Sequence, residues 1–182
     1  MPVYEYDQPD RFVAGTVGEP GQRTFFLQAT EAGRVTSVAL EKTQVAVLAE
    51  RIDELLDDVV RRTGGEAAVP AIAPTTLMDT NPLATPVEED FRVGTMSLAW
   101  DGDDERVVIE CLEVGEEATT EGDLTPAPGA SLLRVTLTGA AARAFAKRAG
   151  AVVAAGRPPC PFCGNPLDPE GHVCPRANGH RR

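Results

Sequence analysis

The sequence has no histidine before position 172, and it lacks the common catalytic motifs. Without histidine, most of the chain cannot build a Ser-His-Asp or Cys-His nucleophilic centre. A phosphate-binding P-loop, a dinucleotide fingerprint, an HExxH zinc motif and a GxSxG nucleophile elbow are absent too. Arginines and carboxylates can still catalyse reactions, but nothing selects Arg51, Glu110, Glu113 or Arg148 from ordinary surface residues. The catalytic residues are therefore unknown, and the sequence favours a protein that is not an enzyme.

Long apolar runs are missing as well. No stretch approaches the roughly 20 consecutive apolar residues that span a bilayer. Residues 1–7 have neither the basic nor the apolar region of a signal peptide. We therefore expect a soluble, cytoplasmic protein without a membrane partner. In a reducing cytosol, clustered cysteines are more often metal ligands than disulfide partners.

Positive charge is scarce, with 17 Lys and Arg against 28 Asp and Glu and a net charge of −11. Beyond residue 156 four arginines oppose two acidic residues, so this tail carries +2 and the body, residues 1–156, carries −13. Such a body repels a phosphate backbone, because nucleic-acid affinity depends on Lys and Arg neutralising phosphates. We expect no nucleic-acid partner, although the tail alone could accept an anion.

Three features of the body are better explained by structure than by chemistry. Cys111 lies in an apolar strand pattern, where a buried small hydrophobic residue is expected rather than a reactive thiol. The acidic run at residues 101–105 lacks the spaced oxygen ligands of a calcium loop and is typical of a solvated hairpin tip. Trp100 could anchor an interface, but a partly buried core aromatic is the simpler interpretation.

The chain is long enough, at 182 residues with 42% of them apolar, for one ordinary domain and a short appendage. Two segments of the body match closely: residues 12–17, FVAGTV, resemble residues 91–96, FRVGTM. A second match lies further along each half, where residues 38–40, VAL, resemble residues 135–137, VTL. We therefore predict an internal repeat, with repeat 1 at about residues 11–62, a linker at 63–90, repeat 2 at about 91–156 and a metal-binding tail at 157–182.

Each repeat has the pattern of three strands followed by a helix. The helix of repeat 1 places apolar residues such as Val45, Leu48 and Ile52 at three- and four-residue spacing. The helix of repeat 2 begins after a Thr138 N-cap and carries small residues around Phe145. In each repeat the first strand runs into a turn, at residues 19–22 or 101–104. We predict the second and third strands at about 24–29 and 35–40 in repeat 1 and at 106–114 and 132–138 in repeat 2, and helices at about 43–62 and 139–155. The predicted fold class is α+β, in which duplicated βββα halves related by a pseudo-two-fold form a largely antiparallel sheet with two helices.

The segment between the repeats, residues 63–90, contains four prolines and little periodicity. Proline has no N–H and biases the preceding residue towards extended backbone, so this connection should be extended. It is unusually long for a compact domain. Two interpretations stay open: a simple linker, which we favour, or a strap that covers a groove with Asp79 and Asn81 as its polar contacts.

The tail holds three of the four cysteines and both histidines. Cys160 and Cys163 form a CPxCG knuckle, in which two thiolates in a tight turn can hold one ion. Cys174 follows a Pro- and Gly-rich turn that returns the chain to the knuckle. His172 is the favoured fourth ligand, because on an extended strand it points to the same side as Cys174, and His180 is the alternative. The pattern predicts a structural Zn²⁺ site in a zinc-ribbon-like tail.

The tail motifs at residues 157–164, RPPCPFCG, and 171–176, GHVCPR, together with the duplicated Phe-x-x-Gly-Thr pattern, carry a resemblance. The whole chain resembles an actinobacterial family of unknown function described as repeat proteins. The resemblance implies an actinobacterial, cytoplasmic origin. It supplies no reaction and no catalytic residues.

A metal motif without catalytic motifs leads to our functional hypothesis. We expect an adaptor or regulatory protein that acts through protein–protein interaction, with an unidentified protein partner and an undetermined oligomeric state. The alternative is an enzyme or small-ligand-binding domain with its site at the interface of the two repeats. A polar cleft with carboxylates of raised pKa beside Arg51 or Arg148 would favour that alternative.

Overall fold

The computed structural model describes residues 2–115, 129–156 and 160–165, together with 167, 172, 174 and 176. These residues form one seven-stranded sheet and two long helices. In chain order the elements are β1 (Val3–Asp7), β2 (Arg11–Val17), β3 (Thr24–Glu31), β4 (Arg34–Leu40), α1 (Lys42–Arg62), a short 3-10 helix (Thr75–Leu77), β5 (Phe91–Asp101), β6 (Arg106–Glu113), β7 (Leu132–Thr138) and α2 (Gly139–Ala154). The predicted α+β fold class is confirmed.

The two halves share the order of three strands and a helix, and they lie side by side in the sheet order β1-β7-β6-β5-β4-β3-β2. Within each half the strands are antiparallel. At the junction β4 and β5 are parallel, with Val38 opposite Phe91. Parallel neighbours need a crossover connection, which α1 and the segment after it supply. The expected pseudo-two-fold stays a prediction, because the strand order alone does not define an axis that relates the halves.

Strand β1 is an element that sequence analysis missed. It pairs in parallel with β7, from Val3 opposite Leu132 to Asp7 opposite Thr136. The Tyr6 hydroxyl lies 2.7 Å from Thr36 Oγ1 of β4. β1 and β4 are four strand spacings apart in the sheet order, which would be about 19 Å in a flat sheet. The sheet is therefore strongly curved around its core.

The core lies between the concave face of the sheet and the two helices. Phe12 of β2 stacks on Phe145 of α2, with ring centroids 4.6 Å apart. The predicted small face of α2 is buried, which lets α1 and α2 pack closely. Thr138 caps α2 as expected, since its Oγ1 accepts a hydrogen bond from the backbone N–H of Ala141 at 3.1 Å. Neither helix in the described part of the chain has the length and apolar character needed to cross a membrane.

A buried arginine of α2 holds both helices and the start of the connecting segment together. Arg143 pairs with Asp53 at 2.8 Å and with Asp57, two carboxylates one turn apart on α1. Its Nε also donates to the carbonyl of Pro70 at 3.2 Å. A buried guanidinium needs such partners, because an unpaired buried charge is costly.

Part of the connecting segment, residues 63–90, packs against the body, and we call this segment the strap. The Asp79 carboxylate accepts from Arg11 Nε at 2.5 Å and from Arg148 Nη1 at 2.9 Å. The Asn81 carbonyl accepts from the same two arginines, at 2.9 and 2.7 Å. Arg148 Nε donates to the Ala14 carbonyl of β2, an edge strand, at 2.9 Å. Both residues proposed as polar contacts take part, Asp79 through its carboxylate and Asn81 through its backbone carbonyl. The division of the chain into repeats and a linker stays a prediction.

Past the edge of β2 the strap lies on the face of the sheet that is opposite the helices. Leu83 is buried there against Val13 and Phe26. The Gln28 side chain bonds both the N–H and the carbonyl of Ala84, at 2.7 and 3.1 Å. A Cβ placed on Gly15 would lie 2.6 Å from the Leu83 side chain. Glycine at this position therefore allows the strap to pack on the sheet.

The close approach of Gly15 and Leu83 can be measured. We expect Gly15→Ala to lower the free energy of unfolding by about 1–3 kcal/mol through overpacking. In a Leu83→Ala background the same change should cost much less, because the truncated side chain leaves room. A double-mutant cycle from urea unfolding curves gives the coupling.

The control for this cycle is Gly150→Ala. Gly150 lies exposed in α2 with nothing within 4 Å of its Cβ position, so alanine should stabilise by about 0.5–1 kcal/mol in both backgrounds. An equal cost of Gly15→Ala with and without Leu83 would contradict the packing of the strap on β2.

Asp79→Asn should weaken the strap in a pH-dependent way. The hydrogen bond from Arg11 holds the pKa of the Asp79 carboxyl below its ordinary value of 3.8, although burial opposes this. A carboxyl with a lowered folded-state pKa adds stability above its ordinary pKa, and that stability is lost as the pH falls through the folded-state value. We expect the variant to be less stable by about 1–2 kcal/mol at neutral pH. Thermal unfolding at decreasing pH should show the difference shrinking below about pH 4, and a constant difference would argue against the ion pairs.

Candidate metal centre

Four side chains of the tail converge on one point. The ligand atoms of Cys160, Cys163, His172 and Cys174 all lie within 4.8 Å of one another. Cys160 Sγ is 3.8 Å from Cys174 Sγ, and Cys163 Sγ is 3.2 Å from His172 Nε2. In a tetrahedral site with Zn–S bonds of about 2.3 Å, two sulfurs are roughly 3.8 Å apart. The cluster is thus a possible metal-binding site of the right size.

The local backbone explains why the knuckle forms. Gly164 has φ +76°, a conformation that glycine adopts without strain. Its N–H donates to the Cys160 carbonyl at 2.8 Å, and the Cys160 N–H donates to the Asn165 carbonyl at 2.7 Å. The Phe162 N–H points at Cys160 Sγ, 3.5 Å away. These bonds turn the chain so that both knuckle thiols face inward.

The surroundings shift the pKa values of the two knuckle thiols, Cys160 and Cys163, in opposite directions. Burial acts to raise the pKa of Cys160, but hydrogen bonds from the backbone of Cys163 and Phe162 outweigh it, and that pKa lies below its ordinary value. A hydrogen bond from the backbone of Asn165 acts to lower the pKa of Cys163, yet burial and the neighbouring thiols leave it above its ordinary value. Crowded thiolates repel one another, so a cation between them would favour deprotonation of all three.

His172 is the histidine that the structure places in the cluster. Its Nε2 faces Cys163, while its Nδ1 is buried without a hydrogen-bond partner among the described residues. The alternative ligand, His180, lies outside the described residues. Phe162, between the two knuckle cysteines, is 63% exposed and holds Arg176 through its carbonyl at 3.2 Å. The knuckle therefore presents an aromatic ring to solvent.

The four candidate catalytic residues of the body each have a separate structural partner. Arg51 pairs with Glu54 on the exposed side of α1, at 2.8 Å, and Arg148 holds the strap. Glu110 pairs with Arg134 at 2.6 Å, and Glu113 accepts the N–H of Ser131 at 2.7 Å. The hydrogen bond from Arg134 is the largest cause of a lowered pKa at Glu110. The carboxyl beside Arg148, that of Asp79, likewise has a lowered pKa instead of the raised one that an acid–base site would need.

The remaining features of the body agree with their structural interpretations. Cys111 is buried, and burial, with help from Glu110, raises the pKa of its thiol to about 12. Trp100 packs partly buried against the core. The Asp101 carboxylate accepts the N–H groups of Asp103 and Asp104, at 3.0 and 3.2 Å, so it stabilises the hairpin tip.

Sequence reasoning missed the arginines that assemble the body. Arg11 and Arg143 carried no local signal, because their partners lie 68 to 90 positions away in the chain. The metal cluster was easier to find, since its ligands are close in sequence and of a distinctive type.

Comparison with known proteins gives a family and no activity. No curated protein and no solved structure shows significant similarity to the chain. The model of a family of proteins of unknown function, DUF3090, matches residues 4–174. This range contains all but the first residue of the seven strands, both helices and the four side chains of the metal cluster. The chain therefore belongs to the DUF3090 family of proteins of unknown function.

Proposed function

We propose that this protein is a cytoplasmic adaptor or regulatory protein whose tail is a zinc-stabilised recognition element. The observation that carries the proposal is the convergence of Cys160, Cys163, His172 and Cys174, with the exposed Phe162 between the two knuckle cysteines in sequence. The metal would fix the loop, and the loop would present the ring to a protein partner.

The donor set favours zinc. Three thiolates and one imidazole suit a borderline-soft ion with tetrahedral geometry. Four protein ligands leave no open position for a water molecule, so the ion would be structural and not catalytic. A segment as short as this tail cannot build a hydrophobic core, and a bound metal replaces that core.

The exposed ring supports a role in recognition. Large aromatic side chains on rigid loops are frequent anchors of protein interfaces, because they bury much surface at a low cost in side-chain entropy. Phe162 lies between two metal ligands, so metal binding would restrict its position as well. We therefore expect the partner to be a protein with an apolar pocket for this ring.

The zinc site can be tested on natively expressed protein. Elemental analysis should find about one zinc per chain, and Cys160→Ser or His172→Ala should remove most of it, since a structural site needs all four ligands. Cys111→Ser is the matched control, because that thiol is buried in the body. His180→Ala separates the two candidate histidines and should retain the metal. Full zinc occupancy in Cys160→Ser would overturn the site.

The recognition role needs a variant that keeps the zinc. Phe162→Ala should retain the metal and the body fold but lose a protein that the wild type captures from native lysate, because the anchoring ring is gone. Ile72→Ala is the control, since Ile72 is another exposed apolar residue, 79% accessible, on the strap. Equal capture by wild type and Phe162→Ala, in quantitative mass spectrometry, would contradict the proposed anchor.

The alternative, a small-ligand site at the interface of the two repeats, is supported by a cleft beside Arg23 and Lys42 and not by the surroundings of Arg51 or Arg148. Arg51 and Arg148 are engaged in structural contacts.

A further inference from the structure

A cleft opens where the end of α2 meets the β2–β3 turn and the start of α1. It is about 250 Å³ in volume. Arg23 and Phe25 come from the first half, as does Lys42, the first residue of α1, whereas Val152 and Gly156 come from the second half. The cleft thus combines two cationic side chains with apolar walls.

The two cations of this cleft differ from most others in the described residues. Arginines such as Arg11, Arg134 and Arg143 pair with carboxylates. Neither Arg23 nor Lys42 forms an ion pair within the part of the chain that the structure describes. Both cations lie beside the C-terminus of α2, and no carboxylate of the described residues forms an ion pair with either of them.

The Arg23 side chain is held in place by one hydrogen bond, but its Nε–H has no partner among the described residues. Its Nη1 donates to the Ala155 carbonyl at 2.6 Å, which anchors the side chain at the end of α2. Its Nε is buried and has no hydrogen-bond partner among the described residues. Lys42 approaches from the other side, with Nζ 3.2 Å from the Cβ position of Gly156. A side chain at position 156 would therefore crowd the ammonium group.

The start of α1 adds no net positive potential to the cleft. Its first turn contains no acidic residue, but its N-cap is the acidic Glu41, which forms a capping box with Gln44. The partial negative charge at the C-terminus of α2 is covered by the Arg23 guanidinium. An anion in the cleft would therefore be attracted by the Arg23 and Lys42 side chains themselves and not by the start of α1.

We propose that this cleft binds a small phosphate monoester, with Arg23 and Lys42 holding the phosphate and Phe25 and Val152 contacting its organic group. A phosphate monoester carries about −1.5 to −2 charges at neutral pH, which two cations match better than the single charge of a carboxylate. The volume suits a small ligand, because drug-sized ligands occupy pockets of about 300–1,000 Å³.

The test uses the full-length protein with its native metal and phenyl phosphate as the probe. Titration calorimetry should detect binding, and backbone amide shifts in NMR spectra should change at Gly21 and Gly156. We expect Lys42→Gln to weaken binding about tenfold, the factor equivalent to about 1.4 kcal/mol. Arg23→Gln should weaken binding at least as much.

Matched controls separate this site from general attraction to a charged surface. Lys147→Gln removes an exposed lysine of α2 that lies outside the cleft and should leave binding unchanged. Benzoate, a carboxylate of similar shape, should bind more weakly than phenyl phosphate. The proposal is overturned by an absence of binding up to about 10 mM phenyl phosphate, by equal losses in Lys42→Gln and Lys147→Gln, or by benzoate binding as tightly. Because Lys42 is not part of the metal cluster, these outcomes do not depend on the adaptor role.

Discussion

The body of this protein depends on one carboxylate, that of Asp79, which two arginines share. Arg11 belongs to the edge strand β2 and Arg148 belongs to α2. Asp79 therefore joins the strap both to the sheet and to α2. Arg11 and Arg148 would repel each other without it, and burial, together with the proximity of Arg11, lowers the pKa of Arg148. Arg148 Nε also donates a hydrogen bond to the backbone carbonyl of Ala14 in the edge strand β2. An unprotected edge strand invites pairing with other chains, so this network protects the sheet as well as holding the strap.

The matching Phe-x-x-Gly-Thr segments occupy different surroundings although both lie in strands. Gly15 lies under Leu83 of the strap, whereas Gly94 faces the backbone of Val114, and a Cβ placed on Gly94 would lie 2.8 Å from the Val114 Cα. Glycine is needed at both positions because another segment approaches closely, the strap at Gly15 and the backbone of Val114 at Gly94. This difference follows from the tandem order of the halves, in which β2 is an edge strand and β5 is central. The strap covers the outer face of the first half, while the outer face of the second half carries the ion pair between Glu110 and Arg134.

Sequence reasoning succeeded where the signal was local. The apolar spacing of α1, the Thr138 cap and the CPxCG knuckle each depend on residues within a few positions of one another. It missed β1, a five-residue strand that is positioned by pairing with β7, and it did not predict that Leu83 packs on Gly15. The sheet order and the cleft between Arg23 and Gly156 depend on distant parts of the chain, which local patterns do not specify.

The metal cluster and the body are stabilised by different means. The core buries apolar side chains from the sheet and both helices, and none of the four residues of the metal cluster belongs to it. The body has one thiol, Cys111, whose pKa of about 12 keeps it protonated and so makes it a poor metal ligand. The clustered thiols of the tail are the better placed donors among the described residues. Because none of the four clustered residues contributes to the core, a metal ion bound there would act first on the loop that carries Phe162, whereas the sheet and the helices are held by their own apolar contacts.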